Sequence, residues 1–138
     1  MGHPEDVKAY RFAEHGGEVE LELEAPTAAG IFEAAVAALA ELVSAGADGE
    51  PARRELELRG EDPALLLVDT LNELVYLGEV EGFVPERLEA VELAGGRLRA
   101  TVAGRRGRAR PLVKAVTLNS LELAQEEGSW HGRVVLDV

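Results

Sequence analysis

The sequence has no cysteine. That excludes a disulfide scaffold, a zinc–thiolate site, an iron–sulfur cluster and a thiol nucleophile. Aromatic residues make up only 4% and lysine occurs twice, at Lys8 and Lys114. No apolar run approaches the ~18 residues that a membrane span requires. The first residues, Met1-Gly2-His3-Pro4-Glu5-Asp6, carry neither the basic nor the apolar region of a signal peptide. There is no phosphate-binding loop, no GxGxxG after a strand and no HExxH. Three histidines, His3, His15 and His131, are all that exist to serve Ser44, Ser120 or Ser129 as a base, and none has an evident orienting acid in sequence.

What is present is one domain's worth of chain, 138 residues at 46% hydrophobic content, with a net charge of −12. This is enough for a self-sufficient core and too apolar for a disordered acidic tail. The composition points to a soluble, cytoplasmic protein with a single domain over 1–138, of which 1–8 is expected to be disordered. The charge is uneven. Residues 1–100 carry 8 basic and 22 acidic side chains, whereas residues 101–138 carry 6 basic and 4 acidic ones. Arg105, Arg106, Arg108 and Arg110 cause the reversal. The acidic total argues against general nucleic-acid binding, which is driven by local Lys and Arg.

Periodicity gives the elements. Tyr10-Arg11-Phe12 and Val19–Glu24 alternate as strands, with Val19, Leu21 and Leu23 on one face and glutamates on the other. Gly16-Gly17 marks the turn between them. Thr27 reads as the N-cap of a first helix, whose stripe contains Ile31, Phe32, Ala35, Val36, Leu39, Leu42 and Val43 and which Gly46 and Gly49 are expected to end. Residues 53–59 alternate again. Asp62-Pro63 opens a second helix that runs toward Gly78. Four further strands follow, over 87–93, 97–102, 113–123 and 130–138, the first two joined by a hairpin at Ala94-Gly95-Gly96. The order β-β-α-β-α-β-β-β-β predicts an α+β two-layer sandwich. Its sheet is antiparallel-rich, with two amphipathic helices on one face.

Five features can carry chemistry. Glu14-His15-Gly16-Gly17-Glu18 offers carboxylates and an imidazole to a divalent metal, or is a polar turn. Asp137 and the terminal carboxylate of Val138 fall together at a strand end, to share a cation or to be solvated. Lys114 stands in the apolar stretch 112–118, either as a fixed cation aimed at an anion or as an outward residue of a strand. Asp69, Asn72 and Glu73 read as the solvent stripe of the second helix. The loop of Arg105, Arg106, Arg108 and Arg110 can meet an acidic partner or RNA phosphates, or only water. No aromatic residue interleaves with it, so base stacking is unsupported.

Four segments together resemble the archease family. They are Phe12-Ala13-Glu14-His15, Leu71-Asn72-Glu73-Leu74-Val75-Tyr76-Leu77, Val113-Lys114-Ala115-Val116-Thr117 and Val134-Val135-Leu136-Asp137-Val138. They occur in family order and span nearly the whole chain. The resemblance implies an accessory protein rather than an enzyme. It implies an activator of the GTP-dependent RNA ligase that joins 2′,3′-cyclic-phosphate or 3′-phosphate ends to 5′-hydroxyl ends in tRNA splicing. Such activators promote guanylylation of the ligase histidine and multiple turnover.

The resemblance further implies a divalent ion, calcium first with magnesium or manganese as alternatives, on Glu18, Asp137 and Val138. It makes Lys114 the functional basic residue. His15, Asp69 and the four arginines remain candidate partner contacts, with no stable nucleic-acid binding and no membrane. The family usually reads Glu-His-Thr-Ala-Asp-Val where this chain has Glu14-His15-Gly16-Gly17-Glu18-Val19. Thr70 replaces its usual tryptophan, and Leu118-Asn119 its aromatic–histidine pair. The competing readings are a small metal-dependent phosphoryl- or acyl-transfer enzyme and a metal-free binding or chaperone module.

Overall fold

The computed structural model describes residues 9–44 and 48–138. The expectation of disorder over 1–8, His3 and the expected helix stop at Gly46 lie outside the described residues. The elements follow the predicted order: β1 (Tyr10–His15), β2 (Glu18–Ala25), α1 (Ala28–Val43), β3 (Pro51–Arg59), α2 (Pro63–Val80), β4 (Phe83–Ala94), β5 (Arg97–Arg106), β6 (Ala115–Glu126) and β7 (Ser129–Asp137). The fold is α+β and every strand pairing is antiparallel.

The strands divide into two sheets, a partition that element order alone does not reveal. One sheet has the order β1-β2-β7-β6 and the other β3-β5-β4. The helices join them. α1 packs against β2 and β4, and α2 against β6, β4 and β3. A single core therefore runs from Leu21, Val134 and Leu136 through Ile31, Phe32, Leu67 and Leu71 to Phe83, Leu98 and Val102. No helix among the described residues is long and apolar enough to cross a membrane.

Both helices start where their caps predict. The Thr27 hydroxyl accepts from the Gly30 N–H at 3.0 Å, and the Asp62 carboxylate from the Ala64 N–H at 2.9 Å. Their ends differ from the glycine signals. α1 closes at Ser44. Gly49 instead lets the chain cross the Arg106 carbonyl, which any β-carbon there would overlap. Gly78 lies inside α2, where a β-carbon would come within 3.0 Å of Ala109, so it is a close-approach point rather than a stop. The helix-ending glycine is Gly82, with the left-handed φ of 64°. Thr70 is fully buried and satisfied, because its hydroxyl donates to the Leu66 carbonyl one turn back at 2.7 Å.

Candidate functional site

Alternation along β2 sends Val19, Leu21, Leu23 and Ala25 into the core and turns the glutamates to the outer face. The β2–β7 register then decides what meets at the sheet end. Leu21 pairs with Val134 and Val19 with Leu136 in the core, so Glu18 falls opposite Asp137 on the outer face. On either side, His15 pairs with Glu18 and Ala115 with Asp137. One row thus crosses all four strands as His15, Glu18, Asp137 and Ala115.

The Val138 N–H donates to the Gly17 carbonyl at 3.2 Å. This marks Glu18–Asp137 as a non-hydrogen-bonded pair, the kind whose α-carbons lie about 4.5 Å apart with side chains close. The Lys114 N–H donates to the Asp137 carbonyl at 2.8 Å, which brings Lys114 to the same end. Gly16 makes the His15–Glu18 hairpin by adopting φ 63°, the left-handed value required at the first position of a II′ turn. Asp137, Glu18, His15 and Lys114 are exposed, and Val138 is half-buried against the core.

This row sets two like charges directly opposite one another. Glu20 is 3.5 Å from Arg133, and Glu22 is 3.0 Å from Arg11. Glu18 and Asp137 have no ion-pair partner among the described residues. Like charges directly opposite one another on a sheet are destabilising, so the tip is a place where a cation would be gained. Among the described residues, no three His, Cys, Asp or Glu side chains stand together as a ready metal site. The donors are therefore two side-chain carboxylates with whatever main-chain oxygen and water can add. That set suits a hard, oxygen-ligated ion of the calcium or magnesium type and not a soft one.

Asn72 is the residue that sequence reasoning missed. It was expected on the solvent stripe with Asp69 and Glu73. Its amide instead clamps β6: Nδ2 donates to the Val116 carbonyl at 3.0 Å, and the Val116 N–H donates to Oδ1 at 2.9 Å. Since β6 is an edge strand, this side chain supplies the hydrogen bonds that a further strand would have made. It fixes the chain two residues after Lys114. The available signal was an asparagine in the middle of a helix, a position that residue disfavours unless it has other bonds to make. Asp69 is exposed and joins nothing at the tip.

The arginine loop also divides. Arg105 is half-buried and engaged, with its Nε donating to Glu86 at 3.0 Å and Nη1 to the Gly49 carbonyl at 3.0 Å. Arg106, Arg108 and Arg110 are exposed, and no carboxylate pairs with them among the described residues.

Comparison with known proteins bears on the family and the fold. Residues 10–138 match the model of the "Archease protein family (MTH1598/TM1083)". Protein archease of Methanosarcina mazei is 31% identical, over 98% of this chain and 99% of that protein. Protein archease of Pyrobaculum neutrophilum is also 31% identical, over 99% of this chain and 98% of that protein. Among solved structures, the solution structure of protein 1598 of Methanobacterium thermoautotrophicum superposes with a TM-score of 0.72 at 24% identity, over 96% of this chain and 100% of that one. The crystal structure of an archease from Thermotoga maritima, described as a possible chaperone, gives 0.68 at 21% identity, over 91% and 94%. At those identities the two structures speak for the fold alone.

Proposed function

The chain belongs to the archease family, and we propose that it is an accessory protein that activates a GTP-dependent RNA ligase through its carboxylate tip. The observation that carries this reading is the facing pair of like charges, Glu18 opposite Asp137, which has no ion-pair partner among the described residues, whereas the next two glutamates of that face, Glu20 and Glu22, have arginine partners. The pair is held by β7, an internal strand, so its position is set by backbone pairing on both sides. Lys114 adds a fixed positive charge at the same end, and the Asn72 clamp two residues later keeps that segment in place.

A divalent ion, calcium first, would be held by Glu18, Asp137 and a main-chain oxygen of Val138, with water completing its shell. When bound it would offset the negative charge of the tip and relieve the repulsion between its facing carboxylates. Few protein ligands imply a dissociation constant on the order of 10⁻⁴ M, at the weak end for calcium sites. The chain's own part is to keep both carboxylates on one face, to exclude a competing arginine, and to set Lys114 beside them. In this reading the partner is the ligase, and the outcome is histidine guanylylation and repeated turnover.

The test is multiple-turnover ligation by a cognate ligase that is slow alone. Acceleration on adding this chain is expected, and no change counts against the reading. That no three His, Cys, Asp or Glu side chains among the described residues are placed to hold a metal ion together favours a second reading, a metal-free binding module. Stimulation that persists unchanged in a chelator would select it.

A further inference from the structure

A second feature lies away from the carboxylate row. The loop 107–114 returns from β5 across the C-terminal halves of both helices. The Arg110 N–H donates to the Val43 carbonyl at 2.9 Å, and Gly78 admits Ala109 against α2. The loop does not close the space beneath it. A cleft of about 340 Å³ remains, walled by Leu39, Val43, Leu74, Val75, Pro85 and Val113 and rimmed by Arg108, Arg110 and Glu79. Elsewhere on α2, Tyr76 and Val80 are 49% and 60% exposed.

We propose that this cleft docks an acidic peptide segment carrying a large apolar anchor. The anchor enters the cleft, and carboxylates on either side pair with Arg108 and Arg110. Charge complementarity selects the occupant. In a chain of net charge −12 these exposed arginines have no carboxylate partner among the described residues, and a single carboxylate, Glu79, shares the rim. Guanidinium groups recognise carboxylates through paired hydrogen bonds. RNA fits less well, since no aromatic side chain lines the cleft for stacking and the surrounding acidic surface repels a polyanion. A purely structural role for the loop is met by its backbone bond and the Gly78 contact, neither of which uses the arginine side chains. The proposal does not depend on the tip.

The test is fluorescence anisotropy of the full chain with a labelled synthetic peptide in which glutamates flank a leucine–phenylalanine pair. Saturable binding is expected. It should weaken at least ~tenfold in Arg108→Gln/Arg110→Gln, as for truncated charge pairs at an interface. It should be unchanged in Asp137→Ala. It should also be lost when serines replace the leucine and phenylalanine. The thermal melting curve of the double variant checks its fold. If that variant melts early, the serine peptide with the natural chain decides alone. The proposal is overturned by absence of saturation, by equal binding of the serine peptide, or by a folded double variant that binds as well as the natural chain. It is also overturned if a single-stranded RNA oligonucleotide binds the same arginines more tightly than the peptide.

Discussion

The carboxylate tip and the arginine loop are opposite in charge and in how they are built. The tip is a product of strand register: once Leu21 faces Val134, Glu18 must face Asp137. The loop is a product of packing, laid over two helices by Gly78 and by one backbone bond to Val43. Both leave charges without partners, whereas several other carboxylates of the two sheets are paired with arginines. On the three-stranded sheet Glu89 is within 3.6 Å of Arg87 and Glu86 is 3.0 Å from Arg105, and next to the tip Glu20 is 3.5 Å from Arg133. What sets the tip apart is that its two unpaired carboxylates face one another across neighbouring strands.

The largest effect should fall on the tip itself. Glu18→Ala and Asp137→Ala should each weaken calcium binding by at least ~tenfold, no less than the loss of a group that merely orients a ligand. Glu20→Ala, on the same face but paired with Arg133, should change it little. Calorimetric titration checks this. An equal loss in Glu20→Ala would reduce the tip to general acidity of the face.

Next in size is the clamp. Asn72→Leu leaves both main-chain groups of Val116 without their protein partners and should cost ~1–3 kcal/mol of stability. Denaturant unfolding measures the loss, and amide exchange at Val116 should quicken. A variant within about 0.5 kcal/mol of wild type, the range of an ordinary surface change, would show that water replaces the amide and that β6 does not need it.

The arginine loop should split by function. Arg105→Ala, which loses Glu86 and the Gly49 carbonyl, should cost ~1 kcal/mol. Arg108→Ala should stay within about 0.5 kcal/mol of wild type. Parallel melting curves test the pair, and equal losses would erase the distinction between engaged and free arginines.

The smallest effect lies at the other end of the tip's sheet. The Tyr10 hydroxyl donates to Glu41 at 2.8 Å, and burial, followed by that hydrogen bond and charge, raises its pKa from 10.0 to about 12. The fold favours the protonated phenol. Its contribution is therefore complete below the unfolded value of 10.0 and is lost as pH rises toward about 12. Ultraviolet titration of a Tyr76→Phe variant, which leaves Tyr10 as the single tyrosine, should show it ionising near 12. Ionisation of Tyr10 near 10.0 would refute this.

These differences explain what was legible in the sequence. Strands with clean alternation, such as 19–24, and helices with side-chain caps, such as Thr27 and Asp62, were readable because local chemistry decides them. The glycines misled where their role is a contact rather than a turn: Gly78 reads as a stop yet serves Ala109, and Gly49 serves the Arg106 carbonyl. Phe83 and Val84 extend β4 beyond its alternating part because both are fully buried, which leaves no period of two to read. β6 is interrupted between Thr117 and Glu122, with Ser120 at a left-handed φ of 54°, a feature that long-range pairing imposes. The family resemblance named Glu18, Asp137 and Lys114, but their meeting depends on β7 inserting between β2 and β6, which no local pattern states. The cleft under the arginine loop was wholly invisible, since its walls come from four separate stretches of chain.

The central claim is that the partnerless pair, rather than acidity in general, makes this chain an activator. Multiple-turnover RNA ligation by a cognate GTP-dependent ligase, with the natural chain, Asp137→Ala and Glu20→Ala in parallel, tests it directly. Stimulation should be lost in Asp137→Ala and kept in Glu20→Ala, with both variants folded by circular dichroism. Full stimulation by Asp137→Ala would contradict the account.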